Sequence, residues 1–409
     1  MDIRVELISI GNELLAGHTV NTNASWLANA LAGIGARVHW ITTISDTPDE
    51  IISALKLASQ RADMIISTGG LGPTPDDLTK QTIAGYFNSK LVINVEILKQ
   101  VQEIFIRRNI PMPDVNRGQA MLPDKAEIIR NPVGTAPALI FHKKKQLYAF
   151  LPGVPREMRA LTDPYLLDYI KRTAEIPQIK SVVFRTTGIA ESKLYEEIKP
   201  AIEKYTGVDI AYLPKYSGVD LRLKTIYEHE MLDKLQHEIR YMLSDYIFTE
   251  SEDNLEKVIG DLLRQNHLTL AVAESFTGGL ISDKITDIPG SSDYFMGAVI
   301  TYSNRSKTEQ LGVLKKTLTG HGAVSEQTVR EMVKGVQDVF KTDCALATTG
   351  IAGPGGGSKE KPVGLCFLAA ACKDTVTVRK YTFGTDRNIN KQRGCAAALD
   401  LLRRLVISI

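Results

Sequence analysis

The sequence predicts an α/β protein: two α/β domains with mostly parallel or mixed sheets, joined by a small α+β domain. Three observations carry that prediction. Toward both ends of the chain, short apolar runs alternate with segments of helical periodicity. Between them lies a stretch with strand–helix–strand–strand–helix–strand order, and glycine-rich turns follow several predicted strands. At 409 residues the chain exceeds one ordinary core, and domains are expected over 1–170, 178–249 and 255–409.

In the first domain, residues 5–10 read as a strand, after which Trp26, Leu27, Ala30 and Leu31 share a helix face. A second strand over 38–44 precedes a helix bearing Ile51, Ile52, Leu55 and Leu57, and residues 64–67 form a third. Strands alternating with helices imply right-handed crossovers and mostly parallel pairing. The middle segment reads as strand 181–186, helix 192–204, strands 208–213 and 219–226, helix 230–243 and a short last strand, the split βαβ order. Pro177 and the acidic run 249–253 read as its linkers. In the last domain, strands are expected over 268–273, 297–302, 344–348 and 365–371. Val329, Met332, Val333, Val336 and Phe340 recur there at helical spacing, with Ser325 placed as the cap.

Composition narrows the class. Hydrophobic residues make up 44% and charged residues 23%, with 49 basic and 47 acidic side chains leaving a net charge of +2. That balance lacks the electrostatic footprint of a dedicated nucleic-acid binder. No apolar run is long enough to span a membrane, and the N-terminus enters a strand at once. A cytoplasmic protein without a signal peptide or membrane partner is therefore expected. Cys344, Cys366, Cys372 and Cys395 make no Cys-x-x-Cys pair and have no histidine cluster beside them, so reduced core thiols are expected.

The densest chemistry follows strand 268–273, in Ala273-Glu274-Ser275-Phe276-Thr277-Gly278-Gly279. A serine at a strand-to-helix turn can project its hydroxyl past the sheet, and Gly278 and Gly279 let backbone N–H groups converge on an oxyanion or phosphate. A hydroxyl needs a base, and no histidine has a place here. The next strand ends in Thr301-Tyr302-Ser303-Asn304-Arg305-Ser306-Lys307, from which Lys307 can reach Ser275 directly or through Tyr302. Burial, or a neighbouring cation such as Arg305, would favour the neutral amine. A third loop, 348–358, carries Thr349, Gly350 and Gly353, and Arg387 can add a fixed cation for phosphate. Each residue also has a plainer reading: Ser275 as a helix cap, Lys307 as a solvated lysine, Tyr302 as a half-buried strand tyrosine. Three polar loops at strand ends, where open α/β sheets bind ligands, favour a site.

Ala-Glu-Ser-x-Thr-Gly-Gly, Thr-Tyr-Ser-Asn-x-x-Lys, His-Gly-Ala-Val-Ser at 321–325, Gly-Ile-Ala-Gly-Pro and Lys-Pro-Val-Gly at 361–364 resemble the C-terminal domain of the CinA family. That resemblance implies deamidation of nicotinamide mononucleotide, without a cofactor. Ser275 is then the nucleophile, Lys307 the base and Tyr302 a relay or positioning group. Thr277, Gly278, Gly279, Thr349, Gly350, Gly353 and Arg387 are expected to hold substrate. The sequence departs from the family pattern at Phe276, where many members have cysteine, and at Gly355, where some have aspartate.

The first domain has a second cluster: Ser67-Thr68-Gly69-Gly70-Leu71-Gly72-Pro73-Thr74-Pro75-Asp76-Asp77. Strand, glycine turn and helix start make an anion cradle, and Thr74-Pro75-Asp76-Asp77 also fits helix capping. Two carboxylates beside a phosphate call for a divalent cation, which makes Asp76 and Asp77 metal candidates. Asn12 and Glu13 after the first strand, Asp46 after the second, and Asn21 and Asn23 at the next helix lie on the same edge; the last two fit capping equally well. With 150–158, these stretches resemble the family's molybdopterin-binding-like domain, and the middle segment resembles its KH-like domain. The resemblance implies metal-dependent ADP-ribose hydrolysis in some members and pterin binding in related domains. Asn12, Glu13, Asn23, Asp46, Gly69, Gly70, Gly72 and Gly153 are its binding candidates. The middle segment has no Gly-x-x-Gly clamp, so a dimer-forming role, and a homodimer, are expected over nucleic-acid binding. Two rival readings are a molybdopterin-handling protein and a non-catalytic partner in DNA uptake or repair.

Overall fold

A strand that buries both faces belongs in the middle of a covered sheet. In the computed structural model, which describes residues 3–73, 78–173 and 179–409, β1 (Arg4–Ile10) is such a strand, buried at every position but the first. It pairs in parallel with β2 (Arg37–Ile44) and with β3 (Met64–Thr68). The strands β4 (Leu91–Ile93) and β5 (Met121–Pro123) form a separate antiparallel ribbon. The main sheet continues through β8 (Gln146–Leu151), parallel to β3, then through β7 (Ala138–Lys143) and β6 (Glu127–Ile129), both antiparallel to their neighbours. Its order is β2-β1-β3-β8-β7-β6. Helices cover both faces. Ile51 and Leu55 pack with Ile8 and Ile65 on one side, while Leu27 and Leu31 pack with Val5 and Leu7 on the other.

The chain divides into two compact units, Met1–Ile179 and Lys180–Ile409. The second unit opens with β9 (Lys180–Thr186), β10 (Asp209–Pro214), β11 (Val219–Thr225) and β12 (Ile247–Thr249). All pair antiparallel, in the order β10-β11-β9-β12. Two helices, Glu191–Lys204 and His229–Met242, bury Leu194, Ile198, Leu232 and Leu235 against Phe184 and Leu221, giving the expected split βαβ.

The remaining sheet comprises β13 (Leu270–Glu274), β14 (Phe295–Ile300), β15 (Cys344–Gly350), β16 (Leu365–Cys372) and β17 (Thr375–Thr382), in the order β14-β13-β15-β16-β17. β13 runs parallel to β14 and β15, while the last two strands return antiparallel. Helix Arg387–Ile407 covers Val272 and Leu346 with Leu399 and Leu402. Helix Glu326–Phe340 covers Ala271 and Ala347 with Val329, Met332, Val333 and Val336. Ser325 caps that helix as expected, its hydroxyl accepting from Thr328 N. Among the described residues no helix is long and apolar enough to cross a membrane.

β17 was not foreseen. It is an edge strand with no fully buried position, so it lacks the apolar signature of its neighbours. The cysteines are not four reduced thiols either. Antiparallel pairing sets Cys344 directly opposite Cys372, and the two are joined as a disulfide, while Cys366 and Cys395 are free and buried. Spacing along the chain gives no hint of this cross-strand register.

Candidate active site

Parallel β13 and β14 bring their C-terminal ends side by side, and the residues just beyond them meet. Ser275 follows β13 immediately, and Lys307 lies one turn into the helix Asn304–Leu311 that follows β14. Lys307 Nζ lies 3.0 Å from Ser275 Oγ and donates a second bond, 2.6 Å, to Thr301 O. Both side chains are buried, Ser275 at 7% and Lys307 at 1% exposure. Burial penalises the ammonium and lowers the Lys307 pKa from 10.5 to about 8. Arg305 plays no part, because it pairs with Glu309 on an exposed face of the same helix. Ser275 is not a helix cap; Gly279 occupies the N-cap position of helix Leu280–Thr286, four residues later.

The intervening turn is fixed by a residue that sequence reasoning passed over. Glu274 is fully buried, and its carboxylate accepts from Gly279 N (2.9 Å), Ile281 N (3.2 Å), Ser282 N (2.9 Å) and Ser282 Oγ (2.6 Å). These bonds satisfy the helix N-terminus from the strand side and pin the loop that carries Ser275. Gly279, at φ +98°, can adopt that turn because it has no Cβ. Thr277 is buried and bonded to Thr348 Oγ1 at 2.8 Å, and Thr348 also receives Ser275 N at 3.4 Å. The N–H groups of Phe276 and Thr277 donate to no acceptor among the described residues. Phe276 is itself buried, its ring lying where a Cβ on Gly394 would stand.

Tyr302 is 62% exposed. Its hydroxyl accepts from Arg387 NH2 at 2.9 Å and not from Lys307, and Arg387 NH1 also bonds Gly353 O at 2.9 Å. The structure thus brings Ser275 and Lys307 together directly and places Tyr302 with Arg387 at the rim. A relay through Tyr302 is not part of this arrangement. Thr349 is buried and donates to Ala323 O (2.7 Å), while Gly350 abuts Cys366 so closely that a Cβ would fall 2.6 Å from the cysteine Cβ. Asn390, also missed, bridges Ala352 O and Gly384 O at 2.9 Å each. Its Oδ1 and the Thr301 hydroxyl are buried without partners among the described residues.

The first unit repeats the strand-end arrangement with other residues. Asn12 follows β1, Asp46 follows β2, and Asn12 Nδ2 donates to Asp46 Oδ1 at 2.8 Å. Glu13 is exposed beside them, its carboxylate folded over Gly11. Asn21 is the helix cap, accepting from Ala24 N. Asn23 is not; it donates to Gly153 O at 2.7 Å and keeps a buried, unpartnered Oδ1. Gly69 at φ +111° lets the loop after β3 pass within 3.3 Å of where a Gly153 Cβ would stand. Glu13, Asn21, Asn23 and Gly153 line a small cavity of about 100 Å³. Gly70 and Gly72 continue the loop, whereas Asp76 and Asp77 lie outside the described residues. Among the described residues no group of three or more His, Cys, Asp or Glu side chains is placed to hold a metal. Glu13 and Asp46 alone do not make a ligand set.

Three family models match successive parts of the chain. Residues 252–406 match the CinA C-terminal domain, residues 181–249 the KH domain of damage-inducible protein CinA, and residues 6–172 a model described as "Probable molybdopterin binding domain". A CinA-like protein of Dictyoglomus thermophilum is 38% identical over 412 residues, covering 100% of both chains. The chain belongs to the CinA family. A CinA-like protein of Dictyoglomus turgidum is 39% identical over 412 residues, again covering 100% of both. The crystal structure of a competence/damage inducible protein from Agrobacterium tumefaciens is 40% identical, covering 37% of this chain and 93% of that one, with a TM-score of 0.37.

Proposed function

We propose that this CinA-family chain is a hydrolase of pyridine-nucleotide turnover whose C-terminal domain deamidates nicotinamide mononucleotide. The observation that carries the reading is the buried Ser275–Lys307 pair, 3.0 Å apart, with the lysine pKa lowered to about 8. A neutral amine at that distance can take the serine proton as the hydroxyl attacks.

Ser275 Oγ bonds to the carboxamide carbon while its proton passes to Lys307 Nζ. The tetrahedral oxyanion is stabilised by the N–H groups of Phe276 and Thr277, which are free to donate. The C–N bond then breaks, and Lys307 returns the proton to the departing ammonia. Water, deprotonated by the same lysine, cleaves the Ser275 ester to nicotinate mononucleotide and restores the hydroxyl. Arg387, braced by Gly353 O and Tyr302, offers a cation at the rim for the substrate phosphate. This sequence needs no cofactor.

For the first domain the reading is ADP-ribose hydrolysis at the strand-end edge formed by Asn12, Glu13, Asn23 and Asp46. A divalent metal, with Asp76 and Asp77 as its ligands, belongs to this proposal and would neutralise the pyrophosphate. A pterin is the alternative ligand, favoured by the description of the model matching residues 6–172. Titration of the full chain with ADP-ribose and with a pterin separates the two.

The test of the main reading is ammonia release from nicotinamide mononucleotide by wild-type protein and by Ser275→Ala. Turnover lost in a folded variant supports it. Equal turnover in both rejects the serine mechanism, and no turnover in either rejects the substrate.

A further inference from the structure

A cavity of about 710 Å³ lies within the second unit, away from Ser275, between the β10–β11 loop of the small domain and helices Leu280–Thr286 and Arg387–Ile407. Its volume falls in the range of small-molecule sites. Its wall carries four cations, Arg185, Lys215, Lys284 and Arg393, against one acid, Glu256. Arg185 is buried and held by Glu252 O (3.0 Å) and Asp253 O (2.6 Å), and it shares the carboxylate of Asp220 with Lys215. Lys284 meets Asp287 only at 3.7 Å, and Arg393 has no carboxylate partner among the described residues. The positive charge of this wall is therefore incompletely balanced. Beside it stands Tyr216, 58% exposed, a planar ring at the edge of the cavity.

Unbalanced cations next to an accessible aromatic face suit a ligand with a phosphate at one end and a flat ring at the other. We propose that this cleft is a binding site for a nucleoside monophosphate, separate from both strand-end sites. Lys284 and Arg393 take the phosphate and Tyr216 stacks on the base. Both helices on its wall begin at the amidase site, one after Gly279 and the other at Arg387, so a ligand here sits on the elements that shape that site.

Calorimetric titration of the full chain with AMP, adenosine and inorganic phosphate tests the proposal. The double variant Lys284→Glu/Arg393→Glu changes solvent-facing groups, and circular dichroism checks its fold. Wild type is expected to show an AMP-binding event that the double variant weakens at least tenfold, and adenosine and phosphate should each bind at least tenfold more weakly than AMP. Tyr216→Ala, which leaves every charge in place, should weaken AMP several-fold. AMP binding unchanged by the charge reversal, or absent from the wild type at millimolar concentration, overturns the proposal. Adenosine or phosphate binding as tightly as AMP overturns it too.

Discussion

The two α/β domains each set a residue just past the strand next to the sheet edge against one beyond the parallel edge strand. In the first, Asn12 meets Asp46 at 2.8 Å; in the last, Ser275 meets Lys307 at 3.0 Å. The topology is the same and the surroundings are opposite. Asn12 is exposed, so its bond competes with water and fixes little beyond loop geometry. Lys307 is sealed at 1% exposure, and exclusion of water depresses its proton affinity. Topology supplies the juxtaposition of strand ends, while burial decides whether the pair is reactive.

Four experiments test that contrast. The largest effect is expected at the lysine: Lys307→Arg keeps a cation that cannot be deprotonated, so deamidation should fall about 1000-fold, as far as with Ser275→Ala. Activity within tenfold of wild type in steady-state assays would show that the pair does not work by proton transfer. Next is the pH profile. Because the lysine must be neutral, kcat should climb about tenfold per pH unit below 8 and level off above it. A profile that is flat from pH 6 to 9 would remove Lys307 as the base. Third, Glu274→Gln retains shape but loses the charge that four donors address. A stability loss of about 2 kcal/mol by urea unfolding is expected, with kcat reduced more than KM is raised. The smallest effect belongs to the exposed pair: Asn12→Ala should change stability by less than about 1 kcal/mol and leave deamidation untouched. A larger stability loss would mean that the first domain's edge is as tightly built as the second's.

Much of this was legible in the sequence, and the exceptions have physical causes. Ser275 and Lys307 were legible because strand periodicity puts both just past neighbouring parallel strands and because the motifs around them resemble those of the family. Glu274 stood in the same motif and was passed over, since an acid is expected at the surface unless its donors are known, and here they lie five to eight residues downstream. Of the two parts open to Tyr302, relay or positioning, its bond to Arg387 fits positioning. Its direction depends on how the loop before Arg387 folds back, and no local pattern encodes that. The Cys344–Cys372 pair required the β15–β16 register, which a long connecting loop leaves undetermined by sequence spacing. Asn21 and Asn23 were inseparable as capping candidates until the Gly153 loop appeared as a partner for one of them.

The burial of Lys307 also bears on how robust the protein can become. An amine whose pKa falls from 10.5 in the unfolded chain to about 8 in the folded one weakens folding by roughly 3 kcal/mol at neutral pH. The folded state sheds its proton near pH 8 while the unfolded chain keeps one until near 10.5. Stability should therefore rise with pH across that window, and the penalty is fully present below it. A search for heat-resistant variants that ignored turnover would accordingly favour Lys307→Met, which fills the same space without a charge. The sturdiest molecules from such a search would lack the base that the proposed deamidation needs, and melting temperature alone would rank them first.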